Sequence, residues 1–320
     1  MQPATRLTTF LAATIVGVGV LHLVIGEGVG RIRTGKLAAA NLVQSGAVNA
    51  EIIISGSSRA EVQYVPNVLK RHTGLKAFNL GRSGAQAANI HTGVVRWYLN
   101  HNRIPKLLIA NVDFGTLHPS HVLYDPVQYT HYLADDGLYK ALSSRRPETW
   151  RARYVPLYGY IADDVESHHY TALRALFGIQ GRELYKDGYL GLNPDKVWNP
   201  KPDQFRWVAK RAQFAPEAEA VGDFEELLTE AKSRGIPTIV VFAPMHRLYS
   251  EALQGREEIM AEYAAIAARQ GGVFWDYSSY APIANDTANF KDAHHLNRRG
   301  ASAFSEVLGQ RLAEWLRERR

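Results

Sequence analysis

The segment Glu51–Ala60 joins a short apolar run to a small polar turn and reads Glu-Ile-Ile-Ile-Ser-Gly-Ser-Ser-Arg-Ala. Its three consecutive isoleucines are β-branched, which is typical of a strand covered on both faces. Gly56 permits a tight bend, so the hydroxyls of Ser57 and Ser58 follow the carboxyl end of that strand. In open α/β sheets this edge is where ligands bind. We therefore take Ser58 as the candidate nucleophile.

A serine hydroxyl is a weak nucleophile until a base accepts its proton. His295 could be that base, and Asp292 lies close enough in sequence to orient the imidazole and stabilise its cation. The oxyanion formed next needs fixed hydrogen bond donors. Gly84 follows the second predicted strand and Asn111 ends the third. Such turns leave a parallel sheet at one edge, so these groups can converge.

Each of these residues also has a plainer explanation. Ser58 could cap the helix that follows it, and Gly84 could be an ordinary turn glycine. Asn111 could be a strand-end turn residue, with Asp113 as a rival for any role there. Asp292 could cap a turn. The order and spacing of all the groups on successive α/β units favour catalysis.

The same groups resemble the SGNH (GDSL-like) hydrolase superfamily, which includes membrane-anchored bacterial members that modify cell-surface polysaccharides. That family has its nucleophilic serine in a Gly-Asp-Ser-like turn after the first strand. Here the turn reads Gly56-Ser57-Ser58, with Ser57 in place of the usual aspartate. The remaining blocks are matched by Ser83-Gly84, by the looser Ala110-Asn111-Val112-Asp113, and by Asp292-Ala293-His294-His295-Leu296-Asn297. The likeness covers roughly residues 50–113 and 236–317.

The resemblance implies a role for each matched residue. Ser58 forms an acyl-enzyme, His295 acts first as base and then as acid, and Asp292 orients His295. The N–H groups of Ser58 and Gly84 and the side chain of Asn111 form an oxyanion hole. No cofactor is expected for this chemistry.

Other histidines raise rival possibilities. His294 competes with His295 as the base, but the spacing from Asp292 and the following Leu-Asn favour His295. A metal site is not predicted, because adjacent histidines such as His168 and His169 have a poor chelating spacing. The further histidines considered as ligands are His118, His121 and His246.

Strand, turn and helix alternate at short intervals, which predicts right-handed βαβ units and a parallel sheet. We expect an α/β flavodoxin-like three-layer sandwich over residues 34–320, with an insertion at about 114–215. The five predicted strands are 51–55, 76–80, 106–110, 238–242 and 273–277. Helices are predicted over 34–49, 66–73, 86–101, 216–234, 249–270 and 299–317.

The insertion is rich in aromatic residues, with ten of the sixteen tyrosines and with Trp150, Trp198 and Trp207. A structureless loop of this length is improbable in a compact domain. We predict a partly helical insertion beside the active edge of the sheet. The simplest role for most of the aromatics is a core for the insertion, and the alternative is a platform for a sugar.

The net charge is +6 and the pI is near 9.4, which favours anionic partners or a membrane surface. No long block of like charge appears, so nucleic acid is not an expected partner. Arg59 and Arg82 flank the proposed site and could attract an anionic glycan or acyl donor, although a solvated surface role is equally plausible. The absence of cysteine excludes disulfides, zinc–thiolate sites and cysteine catalysis.

Residues 7–25 contain no Asp, Glu, Lys or Arg and are about long enough to cross a bilayer as a helix. A cleaved signal peptide is the alternative, but the run is long for one and no small-x-small cleavage site lies close behind it. We predict an uncleaved anchor over residues 1–33. Local Lys/Arg counting slightly favours a cytoplasmic carboxyl side, whereas the resemblance implies a catalytic domain outside the inner membrane.

The expected function is that of a serine esterase or O-acyl(acetyl)transferase acting on a cell-surface polysaccharide or glycan. The resemblance further implies that a polytopic membrane acyltransferase hands over the acyl groups. One alternative is a catalytically inactive SGNH-fold subunit that binds glycan or acts as a scaffold. Another is a carbohydrate-active enzyme that uses paired carboxylates, Asp135-Asp136 or Asp163-Asp164.

Overall fold

The computed structural model describes residues 3–118, 123–161, 166–181, 185–194, 196–199 and 215–319. The strands in these ranges are β1 Ile52–Ser55, β2 Ala77–Asn79, β3 Leu107–Val112, β4 Tyr185–Lys186, β5 Tyr189–Leu190, β6 Thr238–Phe242 and β7 Val273–Asp276.

The α-helices fall into three groups along the chain. Before the insertion they are α1 Pro3–Gly30, α2 Gly35–Gln44, α3 Ser58–Gln63, α4 Pro66–Thr73 and α5 Ala88–His101. The insertion holds α6 Val127–Thr130, α7 Asp136–Ser143, α8 Thr149–Tyr154, α9 Tyr158–Ile161 and α10 Glu166–Leu176. After it come α11 Ala218–Ser233, α12 Arg247–Ala252, α13 Arg256–Arg269, α14 Ala281–Ala284 and α15 Arg298–Arg317.

Five strands form a single parallel sheet in the order β2-β1-β3-β6-β7, which confirms the predicted α/β flavodoxin-like sandwich. Ile53 of the central part of β1 pairs with Phe78 of β2 on one side and with Leu108 of β3 on the other. Along the chain, β2 is added on one side of β1 and β3 on its other side, so the strand order reverses between β1 and β3. Ligand crevices of open α/β sheets lie at such a reversal, beyond the carboxyl ends of the strands.

Helices cover both faces of the sheet, and each face has its own hydrophobic core. Ile53 belongs to the core shared with α5, α11 and α13. Ile52 and Ile54 belong to the opposite core, shared with α3, α4 and α15. Successive side chains of a strand point to opposite faces. The isoleucine run is therefore apolar throughout because both faces of β1 are buried.

Most predicted elements begin or end within two residues of the observed ones, and three differences are larger or concern the site. The helix predicted over 34–49 ends earlier, at Gln44. The helix predicted over 249–270 is divided into α12 and α13, because Gly255 takes a left-handed conformation with φ of 72° at the start of α13. Strand β3 extends to Val112, so Asn111 lies within the strand instead of ending it.

The insertion is partly helical, as predicted, but its buried tyrosines do not form a separate core. Tyr129 and Tyr132 join the core on the α5 face of the sheet. The Tyr132 ring lies 5.0 Å from the ring of Trp97 on α5, measured between centroids. Trp207 is outside the described residues.

Within the described chain, helix α1 is long and apolar enough, by length and composition, to cross a membrane. Only 6% of its most apolar 18-residue window is buried. Its carboxyl-terminal turns behave differently, because Ile25 and Val29, followed by Ile32, are buried in the domain core.

Asn41 on α2 ties the end of α1 to the domain. Its amide nitrogen donates to the carbonyls of Val29 and Ile32 at 2.6 and 3.0 Å. Its amide oxygen accepts a hydrogen bond from the Tyr132 hydroxyl at 2.8 Å. Asn41 therefore connects α2 to the end of α1 and to the insertion, in addition to the bonds that the Val29 carbonyl accepts from the N–H of Ile32 and the Ile32 carbonyl accepts from the Arg33 side chain.

Replacing Asn41 by leucine keeps the side-chain size and removes these three hydrogen bonds. We expect Asn41→Leu to lower the free energy of unfolding by about 1–3 kcal/mol, because three hydrogen bonds between α2, the end of α1 and the insertion are lost. Denaturant unfolding of the full chain in detergent measures the change. Leu42→Ala, at the neighbouring exposed position, is the control and should change stability by less than about 0.5 kcal/mol. Equal stability of Asn41→Leu and wild type would contradict this role.

Candidate active site

The turn after β1 requires a glycine. A Cβ at Gly56 would lie 2.7 Å from the Cβ of Ala60 and 2.9 Å from the Cβ of Asn111. The close approach lets α3 start immediately beyond the strand, with Ser57 as its N-cap and Ser58 as its first residue. Ser57 is 2% exposed, whereas Ser58 is only partly buried. The turn therefore presents one of the two serines to solvent.

The structure brings Ser58, His295 and Asp292 together. The Oγ of Ser58 lies 2.9 Å from Nε2 of His295. The other ring nitrogen of His295, Nδ1, lies 2.9 and 3.0 Å from the two carboxylate oxygens of Asp292. If Nδ1 carries the proton and donates it to the carboxylate, Nε2 is left free to accept from the serine hydroxyl. Ser58, His295 and Asp292 thus form a hydrogen-bonded chain in the order that a nucleophile, a base and an orienting acid require.

The loop that carries the acid and base is held by backbone contacts. Oδ1 of Asp292 accepts the backbone N–H groups of His294 and His295 at 3.1 and 2.9 Å. The side chain of Gln63 on α3 donates to the carbonyl of His294 at 2.8 Å. Asn297 caps α15, since its Oδ1 accepts the N–H of Gly300 at 3.1 Å. The loop is therefore fixed to the helix that begins with Ser58 and to the last helix.

The carboxyl group of Asp292 is strongly favoured in its charged form. Burial alone would raise its pKa, but the hydrogen bond from His295 and the charges of His295 and His294 outweigh that effect. The pKa of Asp292 consequently lies well below its usual range. A carboxylate that stays ionised is able to stabilise a neighbouring imidazolium.

His294, the rival base, has a different environment. Its ring is tilted by 44° against that of His295 with centroids 4.2 Å apart, and its Nδ1 is buried without a hydrogen bond partner in the described chain. Burial, together with the charge of His295, lowers the pKa of His294 to about 4. It is thus neutral at pH 7. The described structure shows a hydrogen bond from Ser58 to His295 and none to His294.

Asp292, His294 and His295 are also the residues of the described chain that could reach one metal ion, with ligand atoms within 4.8 Å of one another. This cluster is not among the histidine sets considered from the sequence. Two of its members already bond to each other as acid and base. His246 caps α12 with its ring nitrogen, and His121 is outside the described residues.

Two candidate oxyanion donors lie beside Ser58. Ser58 is the first residue of α3, where backbone N–H groups have no partner within the helix. Gly84 has φ of 71°, and a Cβ there would lie 2.4 Å from the Cβ of Tyr124. Gly84 and Ser58 line the same cleft. Glycine at position 84 lets the backbone approach the cleft beneath Tyr124.

Asn111 lies next to the turn but does not line the cleft. It is fully buried, and its Oδ1 accepts a hydrogen bond from the Tyr64 hydroxyl at 2.7 Å. Burial raises the pKa of Tyr64 well above its usual value, so the phenol keeps its proton and donates. This bond directs the amide so that Nδ2 is free, and Nδ2 has no partner in the described chain. A buried amide donor without a partner is costly.

Arg59 is buried beneath the nucleophile and pairs with Asp113, with Nη1 2.7 Å from Oδ1. Its Nη2 donates to the carbonyl of Ala243 at 2.5 Å and to that of Pro244 at 3.2 Å. Asp113 also accepts the hydroxyl of Ser57. The expectation of a solvated surface role for Arg59 is wrong, because this pair connects the ends of β1, β3 and β6.

Arg82 is also buried, at 1% exposure, so the surface role is wrong for it as well. Its guanidinium lies 6.0 Å from the centre of the Trp97 ring. Its Nε and Nη2 have no hydrogen bond partner in the described chain. Neither arginine is an exposed attractor for an anionic substrate.

The cleft beside Ser58 has a volume of about 520 Å³. Its walls include Val62, Tyr124, Leu190, Leu192 and Lys291. A smaller pocket of about 130 Å³ opens on the other side of Ser58. It is lined by the buried ion pair and by Gln86, Phe114, Gly115, Met245, Tyr249 and His294.

Among the tyrosines of the insertion that are described, Tyr124 is the one that lines this cleft. It is 65% exposed. The neighbouring wall is fixed by Glu61, a buried carboxylate that accepts hydrogen bonds from Ser83 and from Tyr185 of β4. Among the described aromatic residues of the insertion, Tyr124 is thus the one that could form a sugar platform in this cleft.

Asp135 and Asp136, one of the two carboxylate pairs considered as an alternative, do not form a catalytic pair. Asp135 caps α7 by accepting the N–H of Leu138 at 2.9 Å. Asp136 is exposed and forms a surface ion pair with Arg153. Asp163 and Asp164 lie outside the described residues.

Sequence reasoning missed Tyr64, Gln63 and the Arg59–Asp113 pair. Each acts on a predicted site residue across a long sequence separation. The available signal was local: the polar residues of Ser58–Gln63 follow a fully buried strand.

No protein-family model matches the chain, and no curated protein matches it. The likeness to SGNH hydrolases therefore depends on the sequence motifs. The hydrogen-bonded geometry of Ser58, His295 and Asp292 is a separate observation.

Replacing Asp113 by asparagine removes the charge that Arg59 faces. We expect Asp113→Asn to lower the free energy of unfolding by about 3–5 kcal/mol at pH 7, because Arg59 is left as an uncompensated buried charge. Asp136→Asn breaks an exposed pair of similar length and should cost less than about 1 kcal/mol. Urea unfolding of both variants measures the difference. Equal effects of the two substitutions would contradict a structural role for the buried pair.

The same comparison has a defined pH dependence. Burial raises the pKa of Asp113, but the Arg59 charge and the hydrogen bonds from Ser57 and Arg59 outweigh this and lower it. A carboxyl group whose pKa is lower in the folded state stabilises the fold above its unfolded pKa of about 3.9 and loses that effect as the pH falls through the folded value. The stability gap between wild type and Asp113→Asn should be constant above about pH 5 and narrow at lower pH.

Proposed function

We propose that this protein is an SGNH-like serine esterase or O-acyltransferase. The observation that carries the proposal is the hydrogen-bonded array of Ser58, His295 and Asp292. The three residues come from opposite ends of the chain, and they meet beyond the carboxyl end of β1, beside the strand-order reversal. A capping serine needs no histidine partner, whereas a nucleophilic serine does.

In the first half-reaction, Oγ of Ser58 attacks the carbonyl carbon of an ester while Nε2 of His295 accepts its proton. Asp292 stabilises the imidazolium that results. The tetrahedral intermediate then expels an alcohol, which takes the proton from His295 and leaves the acyl group on Ser58. Water or a glycan hydroxyl next attacks the acyl carbon while His295 accepts its proton, and the second tetrahedral intermediate expels Oγ of Ser58, which takes that proton back from His295. Water gives hydrolysis, and a hydroxyl acceptor gives acyl transfer.

The oxyanion is assigned to the N–H groups of Ser58 and Gly84 and to Nδ2 of Asn111. These donors have fixed positions, because α3 holds Ser58, the left-handed turn holds Gly84, and Tyr64 holds the Asn111 amide. Donors fixed before the reaction stabilise developing charge without reorganising.

The acceptor that we propose is a cell-surface polysaccharide or glycan. The large cleft is open and combines apolar walls with the exposed tyrosine and a lysine, which suits a sugar chain. The domain would lie on the periplasmic side of the inner membrane, held by α1 as a single-pass anchor. A polytopic membrane acyltransferase is the proposed source of the acyl group.

The central test compares Ser58→Ala and His295→Ala with wild type in the release of acetate from a chromogenic ester and from an acetylated glycan. We expect both variants to lose at least about 10⁴-fold in kcat/KM. Asp292→Asn should lose a similar factor in kcat. Unchanged activity in the first two variants would exclude the mechanism.

A fluorophosphonate probe distinguishes an enzyme from an inactive scaffold with the same fold. We expect labelling of wild type and of Ser57→Ala, and none of Ser58→Ala. Ser57→Ala is the matched control, since it removes the neighbouring hydroxyl and keeps the nucleophile. Glycan binding by a wild-type protein that the probe does not label would favour the scaffold.

The positioning role of Tyr64 predicts a split between kcat and KM. Tyr64→Phe frees the Asn111 amide to rotate, so kcat should fall roughly tenfold, equivalent to one hydrogen bond of about 1.4 kcal/mol, with KM unchanged. Asn111→Ala removes the donor itself and should lower kcat by about 10²–10³-fold.

Tyr98→Phe is the control for the Tyr64 prediction. It removes another buried phenol hydroxyl, which bonds to the backbone of Ala50 far from the site. This variant should lose stability and keep the wild-type kcat. A loss of kcat in Tyr98→Phe equal to that in Tyr64→Phe would show that the effect is general destabilisation.

A further inference from the structure

Helices of the insertion expose large apolar side chains close to the anchor helix. Of the large apolar residues exposed outside α1 in the described chain, most lie between residues 150 and 179. We define the interfacial surface as Tyr154, Val155, Tyr170, Leu173, Phe177 and Ile179. Phe177 is 81% exposed, which is unusual for phenylalanine in water. Exposed apolar patches of this kind mark binding surfaces.

The pattern on α10 shows that the exposure is systematic. Tyr170, Leu173 and Phe177 follow one another at spacings of three and four residues, so they share one helical face. The opposite face carries Ala172 and Ala175, which are buried. The helix therefore turns its large apolar residues outward and its small residues inward.

The inward face of α10 packs on α1. A Cβ at Gly28 of α1 would lie 2.5 Å from the carbonyl oxygen of Ala172, so the two backbones are in close contact. Nearer the middle of α1, Nδ1 of His22 accepts the N–H of Leu157 at 3.2 Å. The ring of His22 also lies 5.1 Å from that of Tyr160 on α9. The insertion thus contacts α1 at two positions along the helix, at Gly28 and at His22.

The contact at His22 lies inside the apolar run. The uncharged segment 7–25 is about 28 Å long as a helix, close to the roughly 30 Å hydrocarbon thickness of a bilayer. His22 lies three residues inside its carboxyl end, which is about 4–5 Å. Residues Leu157 and Tyr160 therefore lie at the boundary between acyl chains and headgroups when the run spans the bilayer. Their neighbours on α8 and α10 cannot be far from that boundary.

Arginine side chains lie over two tyrosine rings of the interfacial surface. The guanidinium of Arg174 lies 5.5 Å from the centre of the Tyr170 ring, and that of Arg153 lies 5.2 Å from that of Tyr154. Tyrosine rings occupy the headgroup level of membranes, and arginine side chains extend from apolar surface toward polar groups. Arg153 is already paired with Asp136, so the charge of Arg174 and the apolar area together are what fits anionic phospholipid headgroups.

We propose that the interfacial surface is embedded in the lipid interface of the leaflet from which α1 emerges. The proposal depends on the membrane anchoring stated under the proposed function. The domain is then held to the bilayer by a span and by a second, monotopic contact. Two contacts fix the tilt of the domain, and with it the direction in which the active-site cleft faces the membrane.

The cysteine-free sequence makes a direct test possible, since any introduced cysteine is the sole thiol. Full-length Phe177→Cys and Leu173→Cys are labelled with an NBD fluorophore and reconstituted in phosphatidylcholine–phosphatidylglycerol vesicles that contain headgroup-proximal nitroxide lipids. Ile104→Cys is the matched control, because Ile104 is an exposed apolar residue far from α1 in sequence, at 57% exposure. Val16→Cys, within the anchor, reports the span itself.

We expect blue-shifted emission and at least twofold stronger nitroxide quenching at positions 173 and 177 than at position 104. A label at Val16 that is shielded while those at 173 and 177 match Ile104 would overturn the interfacial surface and leave the anchor intact. A solvent-like label at Val16 would overturn the anchor itself, and the catalytic assignment is tested separately by the ester assay. Shielding of 173 and 177 in native membranes, but not in pure lipid vesicles, would assign the surface to a protein partner and overturn the lipid proposal.

Discussion

The buried ion pair between Arg59 and Asp113 is the interaction on which the candidate active site depends. It connects the residue after Ser58 to the end of β3 and, through the carbonyl of Ala243, to the end of β6. Asp113 also accepts a hydrogen bond from the hydroxyl of Ser57. Ser58 therefore lies between two residues whose side chains bond to the same carboxylate. Breaking such a pair costs more than its formation contributes, because an unpaired charge remains buried. The position of Ser58 is therefore set by groups that line the smaller pocket and not the large cleft.

Much of the fold and the central pair of the site follow from local sequence. The isoleucines of β1 predict a strand with two buried faces, and chain order in a parallel sheet brings the strand ends to one edge. The spacing of Asp292 and His295 selected the right histidine for contact with Ser58. These features depend on residues near one another in the chain or on rules that hold for every sheet of this class.

The supporting residues could not be predicted in the same way. A lone arginine after a serine is usually exposed, because arginine is rarely buried unless it is paired, and the partner of Arg59 lies 54 residues away. The orientation of Asn111 depends on Tyr64, which lies 47 residues away in the chain. Likewise, Tyr132 and Tyr124 belong to one insertion, yet the first packs on Trp97 and the second lines the cleft.

The burial of Ile25, Val29 and Ile32 makes the end of the amino-terminal helix part of the domain core. These side chains are at most 7% exposed and belong to the same core as the sheet, where each contributes about 1.5–3 kcal/mol. Under the membrane anchoring proposed above, the domain completes its core only after the end of the helix has left the membrane-inserting machinery. Membrane insertion and domain folding would then be coupled through these three residues.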